Sequence, residues 1–252
     1  MKHRAIALEL DKAEETHIGV RPLSTRSEVL TEEDAWSIAA RRERLREERG
    51  ETHCGYKLGW TSEVMRSALG IAQPNFGSLW EYMRVADGEL DLGRLIHPKA
   101  EPEFAFLADQ ALEGGQVTAT EVLSAGRWAV ALEVVDPRWE SYEFDWLDNT
   151  ADGSSAAAYV VGEFREARTA PERFQLTMHA AGEARSGLGD AAMGSPAEAV
   201  AWLVSQLHRR GAALEPGMVV LTGGITAPVD LVKGLTLRAE SPQLGECVLR
   251  CV

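Results

Sequence analysis

The stretch His97-Pro-Lys-Ala-Glu-Pro-Glu-Phe-Ala-Phe106 decides how this chain is read. It reads as a strand, and residues two apart on a strand share a face. Glu101 and Glu103 then project side by side, with Phe104 and Phe106 turned to the opposite face. Adjacent carboxylates repel unless a cation sits between them. A hard divalent ion such as Mg2+ or Mn2+, which takes oxygen ligands, is the obvious candidate. A third acid, Glu133, interrupts the apolar run Trp128-Ala-Val-Ala-Leu-Glu-Val-Val135, where an isolated charge is costly to bury. One metal ion accounts for all three acids. The spacing alone is equally compatible with two rim carboxylates on an edge strand and a third acid paired to an arginine.

Outward from these two runs the chain is a series of short apolar segments punctuated by glycine: Tyr56–Leu58, Glu103–Leu107, Arg127–Val135, Ala157–Val161, Arg173–Ala180, Met218–Thr222, Leu235–Ala239 and Cys247–Val252. Many short strands separated by turns predict a β-rich core. One helix is well signalled inside it: Ser195 caps, Pro196 occupies the first turn, basic residues fill the last turn and Gly211 ends it. The N-terminal part differs. Thr31 followed by Glu32, Glu33 and Asp34 marks a helix start, and Gly50 closes that helix after the charge-rich face from Arg41 to Arg49. The expected organisation is an α+β chain, with a small helical subdomain over residues 1–54 and a β-rich catalytic core over 55–252.

Composition narrows the function classes. With 252 residues, the formal net charge of −13 argues against a surface for nucleic acid or an anionic membrane, since both need clustered Lys and Arg. Cys54, Cys247 and Cys251 have no Cys-x-x-Cys spacing and read as reduced thiols. Charge interrupts the first residues too soon for a signal peptide, and no apolar run has the length of a membrane span. The expected location is the cytoplasm.

Taken in order, seven stretches resemble the hydratase/decarboxylase branch of the fumarylacetoacetate hydrolase superfamily, whose members act on 2-oxo acids in aromatic meta-cleavage pathways. They are Gly55-Tyr-Lys-Leu-Gly-Trp-Thr-Ser, Gln73-Pro-Asn-Phe-Gly-Ser-Leu, the run from His97, Ala131-Leu-Glu-Val-Val-Asp, Ala151-Asp-Gly-Ser-Ser, Ala199-Val-Ala-Trp-Leu and Leu221-Thr-Gly-Gly-Ile-Thr-Ala. The resemblance runs from about Leu30 to the C-terminus. It implies a mixed β-roll core, Glu101, Glu103 and Glu133 as ligands of Mg2+ (or Mn2+), and Lys57 as the active-site lysine. It also implies Ser155 as a substrate contact, with Asn75 and Thr222 as further expected substrate-binding residues. Each of these also has a plain structural reading, Ser155 as a cap and Thr222 and Thr226 as the flanks of a tight diglycine turn. The expected partners are a small 2-oxo acid, further copies of the chain in a homo-oligomer, and a related hydratase.

Within the branch, the Leu221 segment and the loop Arg138-Trp-Glu-Ser-Tyr-Glu-Phe-Asp resemble the decarboxylase form. The implied reaction is metal-dependent decarboxylation of a 2-oxo-enedioate such as 4-oxalocrotonate, in which the electron pair released with CO2 runs to the 2-oxygen as a dienolate. Alternatives are a 2-hydroxy-2,4-dienoate hydratase, a catalytically silent assembly partner and a C–C hydrolase. Two positions depart from the branch: Asn75 stands where aspartate is usual, and Gly153 where asparagine is expected. An asparagine hydrogen-bonds but does not exchange a proton near neutral pH, which argues against hydration. Trp60, Trp80, Trp139 and Trp146 add bulk near the matched stretches, either as core or as pocket walls. His97 reads as structural. His53 with Glu51 is the one nearby couple resembling the His–Glu pair of the superfamily's hydrolases.

Overall fold

The computed structural model describes residues 2–26, 30–167 and 170–252. Two long N-terminal helices, α1 (Lys2–Thr16) and α2 (Glu32–Glu48), precede β1 (His53–Gly59), α3 (Glu63–Leu69), β2 (Asn75–Trp80) and β3 (Glu89–Leu90). The long hairpin pair β4 (Lys99–Ala108) and β5 (Gly126–Val135) encloses α4 (Ala119–Ser124). Then come α5 (Trp146–Ala151), β6 (Ala156–Val161), β7 (Gln175–Ala180), β8 (Glu183–Leu188), α6 (Pro196–Arg209), β9 (Val219–Leu221), β10 (Val229–Asp230), β11 (Thr236–Ser241) and β12 (Gly245–Cys251).

These strands form two sheets, one ordered β2-β1-β9-β4-β5-β6 with β10 added at β4, the other β3-β12-β11-β7-β8. In the first, β1 and β9 run parallel and the other pairs antiparallel. The two faces of β4 and β5 are sorted by parity. Phe104, Phe106, Trp128, Val130, Leu132 and Val134 face the main core, which they share with the second sheet and α6. On the reverse face, Ala105, Ala129 and Ala131 pack with Leu221 and Tyr159. Glu101, Glu103 and Glu133 have this second parity, so the pleat sets them on the alanine-lined side. Small neighbours leave room there that larger side chains would fill.

All eight expected strands and both expected helices are present. Thr31 forms a reciprocal capping box with Asp34, and the Ser195 hydroxyl accepts from the Ala197 amide. The strands β2 and β8 were not expected, and neither were the two-residue β3 and β10. Strand β2 is wholly buried but hides its apolar residues among Asn75, Gly77 and Ser78; β8 is an edge strand left almost entirely exposed, so it carries no alternation.

The helical layer has its own core, in which Ile6, Leu10, Leu30 and Ile38 meet Trp139 and Ala151 from the later chain. Charge bonds it to the sheet as well. Arg42 and Arg46 of α2 share Glu14 of α1, at 2.7 and 2.5 Å. Arg42 also reaches Asp152 at 3.0 Å, where Arg138 meets the same carboxylate at 2.5 Å. Among the described residues, no helix is long and apolar enough to cross a membrane.

Candidate active site

The β4–β5 register places Glu101 directly opposite Glu133, and Glu103 one pleat further along the same face. Like charges directly opposite one another destabilise an antiparallel pair. Two of the three are also buried, Glu103 at 0% and Glu133 at 1% exposure, while Glu101 is half-buried. One carboxylate oxygen from each of the three lies within 4.8 Å of the others. Glu103 Oε1 and Glu133 Oε2 have no hydrogen-bond partner among the described residues. Burial, and then the Glu133 charge, push the Glu101 carboxyl up to about 7, with Lys57 opposing. The same two causes hold Glu103 well above the usual carboxylate range. An all-oxygen donor set with orphaned, buried acceptors and excess negative charge fits a hard divalent cation.

Among the described residues, one cation faces this cluster. Lys57, on β1 and 3% exposed, sets its ammonium 3.0 Å from Glu133 Oε1. It donates to the Ser154 carbonyl at 2.9 Å and to the Ser154 hydroxyl at 3.3 Å. Behind it runs a neutral network. The Ser154 hydroxyl donates to Asn75 Oδ1 at 3.0 Å. The Asn75 amide donates to Asn149 Oδ1 at 2.8 Å and Thr150 Oγ1 at 2.9 Å. Asn149 in turn donates to the Ser155 hydroxyl at 2.9 Å and accepts from Trp60 Nε1 at 2.9 Å.

The backbone carrying this network is unusual. Gly153, Ser154 and Ser155 all lie in the left-handed region, at φ 69°, 56° and 57°, and Trp60 does so at φ 58°. A non-glycine residue there stores about 1–3 kcal/mol and persists where its surroundings over-determine it. The turn after β9 closes the opposite wall. Its Gly223 amide donates to Glu103 Oε2 at 2.7 Å. A Cβ on Gly223 would meet Thr61 Oγ1 at 2.0 Å, and one on Gly224 would meet Glu101 Oε2 at 2.9 Å. The diglycine is there for close approach to the carboxylates, beyond the needs of a turn.

No protein-family model matches the chain. It is 36% identical over 239 residues to a 2-hydroxyhexa-2,4-dienoate hydratase of Comamonas testosteroni, covering 91% of this chain and 89% of the relative. It is 34% identical over 248 residues to a 4-oxalocrotonate decarboxylase of a Pseudomonas species, covering 97% and 96%. This chain belongs to the hydratase/decarboxylase branch of the fumarylacetoacetate hydrolase family. It is a lyase. Among solved structures, the 4-oxalocrotonate decarboxylase of Pseudomonas putida G7, complexed with magnesium and adipate, superimposes on 100% of the chain at a TM-score of 0.94 and 28% identity.

The structure brings the expected site residues of this family member together unevenly. Glu101, Glu103, Glu133 and Lys57 form one cluster. Asn75 and Ser155 sit one layer behind, joined to Lys57 through Ser154, with the Ser155 hydroxyl 3.3 Å from Asp152 Oδ2. Thr222 is buried and donates to the Phe104 carbonyl at 2.9 Å. Thr226 lies beyond the turn, its hydroxyl 3.5 Å from the Ala227 carbonyl. Sequence reading passed over Ser154, Asn149, Thr150 and Thr61. The first two serve as linkers between named motif residues, and their neighbours Asp152 and Ser155 carried the only signal.

The His–Glu couple does not form. Glu51 is held by Arg46 at 3.0 Å and Arg49 at 2.8 Å, while the His53 ring packs edge-on to Tyr56 and Trp80. His97 meets the Pro137 carbonyl at 3.1 Å and packs on Tyr142, in keeping with a structural role. Of the four tryptophans, Trp139 is fully buried in the helical layer, Trp80 in the reverse-face cluster, and Trp146 packs edge-on to Trp36. Trp60 joins the polar network through its indole N–H, and Trp146 touches it through its backbone carbonyl, which accepts from the Thr150 hydroxyl at 2.7 Å.

Proposed function

We propose that this lyase is a metal-dependent decarboxylase of a 2-oxo-enedioate of the 4-oxalocrotonate type. The observation that carries the reading is the imbalance, among the described residues, of three clustered carboxylates against a single ammonium. Glu101, Glu103 and Glu133 would hold the cation, Mg2+ or Mn2+. When bound, such an ion supplies a Lewis acid where negative charge develops, an effect worth several kcal/mol of barrier. Lys57 has its ammonium fixed by the Ser154 carbonyl beside Glu133, and so offers donors to a substrate carboxylate or a developing oxyanion. Ser155, Asn75 and Thr222 shape the surrounding wall through the contacts above.

The choice of decarboxylation over hydration rests on the network behind Lys57. Adding water to a dienoate needs a group that exchanges protons near the far carbons. The network offers amides and hydroxyls, and its nearest acid, Asp152, is engaged by Arg138 and Arg42. Loss of CO2 needs an electron sink and no such group. Hydration is the second reading, favoured by the name of the relative at 36% identity. The same reading includes a cytoplasmic homo-oligomer associated with a related hydratase, checked by light scattering of the chain alone and mixed with one. Metal-loaded protein incubated with 4-oxalocrotonate should release CO2 well above a Glu103→Gln control. Loss of dienoate absorbance without CO2 would support the hydratase. Normal folding with neither reaction would indicate a silent assembly partner.

A further inference from the structure

The left-handed turn that anchors Lys57 is bridged end to end by one guanidinium. Arg138, 2% exposed, donates through Nη2 to the Asp152 carbonyl at 2.6 Å and through Nη1 to the Ala156 carbonyl at 2.8 Å. Those two carbonyls flank residues 153–155 on either side. Its Nε meets Asp152 Oδ1 at 2.5 Å, and Nη1 also reaches the Asp136 carbonyl at 2.8 Å. Arg42 adds a second hold from the helical layer, donating to the Asp152 carbonyl at 2.7 Å and to Oδ1 at 3.0 Å.

We propose that Arg138 is a positioning residue for the reaction: it clamps the turn 153–155 in its left-handed form so that Ser154 presents its carbonyl to the Lys57 ammonium. Arg42 supports the clamp from outside the sheet. The planar fork is what the geometry requires, because three carbonyls and a carboxylate are engaged in different directions. An ammonium in its place reaches one end of the turn and leaves the other free. The Asp136-Pro-Arg138 and Asp152-Gly-Ser-Ser155 stretches are thereby one functional unit, although fourteen positions separate Arg138 from Asp152.

This inference rests on Lys57 acting in catalysis, so its test has one arm that needs no turnover. Hydrogen exchange followed by mass spectrometry is compared for wild type, Arg138→Lys and Arg42→Lys. Exchange in the peptide covering residues 150–157 is expected to accelerate at least about tenfold in Arg138→Lys and less in Arg42→Lys, with the β4 and β5 peptides unchanged. In the second arm, kcat of Arg138→Lys is expected to fall at least about tenfold while KM stays within about threefold. Unchanged exchange in the turn overturns the clamp. Faster exchange with kcat intact overturns the positioning role, and acceleration that extends equally to β4 and β5 reduces Arg138 to a general stabiliser. Should Arg138→Lys not fold, the Arg42→Lys exchange pattern decides. A wild type that turns over neither substrate defeats the proposed function, and the exchange arm still judges the clamp.

Discussion

Two buried charge clusters lie on either side of the turn 153–155, and they are built on opposite principles. Behind the turn, the guanidiniums of Arg42, Arg46 and Arg138 face the carboxylates of Glu14, Glu51 and Asp152 in close pairs. Burial alone would raise Glu14, but Arg46, Arg138 and Arg42 together hold it below the usual carboxylate range. Burial pushes Asp152 up while Arg138 and Arg42 pull against it. In front of the turn, among the described residues, three glutamates have one lysine, and two of their oxygens have no hydrogen-bond partner. A cluster that balances its own charge is architecture. One that does not is a place for a missing counter-charge, and perturbed carboxyls in such a place mark a functional site.

That contrast breaks most sharply at Glu103. Glu103→Gln should lower turnover by roughly a thousandfold, as expected when a ligand of the Lewis acid is lost. The metal-free protein should at the same time melt higher, because a buried like charge is gone. Calorimetry and steady-state rates on one preparation check both signs. The mirror substitution, Asp152→Asn, leaves two guanidiniums without their shared carboxylate. It should destabilise by about 3–5 kcal/mol, read as a lower denaturant midpoint with an unchanged slope.

The pH dependence sharpens the comparison. Glu101 has a folded value of about 7, above its ordinary carboxylate value, so the native state binds the proton more tightly than the unfolded chain. The contribution of Glu101 to metal-free stability should therefore be fully present below the ordinary carboxylate range and be lost as pH rises through about 7. Added Mg2+ should cancel that loss, and metal binding should release protons, which titration calorimetry in buffers of different ionisation enthalpy detects. The smallest expected effect is at Asn75. Asn75→Asp removes the amide donor to Asn149 and Thr150 and should cost about 1–3 kcal/mol. If the amide is what silences water chemistry, the ratio of hydration to CO2 release should rise in that variant.

The carboxylate face was legible in the sequence because strand periodicity is local: Glu101 and Glu103 declare a shared side without reference to any other element. That Glu133 joins them follows from register, and register follows from ten paired positions along β4 and β5. Lys57 was reachable through its motif. Ser154 was not, because its role depends on a left-handed backbone held by Arg138, whose partners are Asp152 and Ala156. Long-range pairing of that kind leaves no periodic trace. The edge strand β8 was invisible for a related reason, since an exposed strand has no buried face to impose alternation.

The most direct test of the account is crystallographic. Crystals soaked in Mn2+ and measured at its absorption edge should show one anomalous peak per chain, about 2.0–2.6 Å from an oxygen of each of Glu101, Glu103 and Glu133. A map with no peak among those three carboxylates, or with the ion held elsewhere, would contradict it.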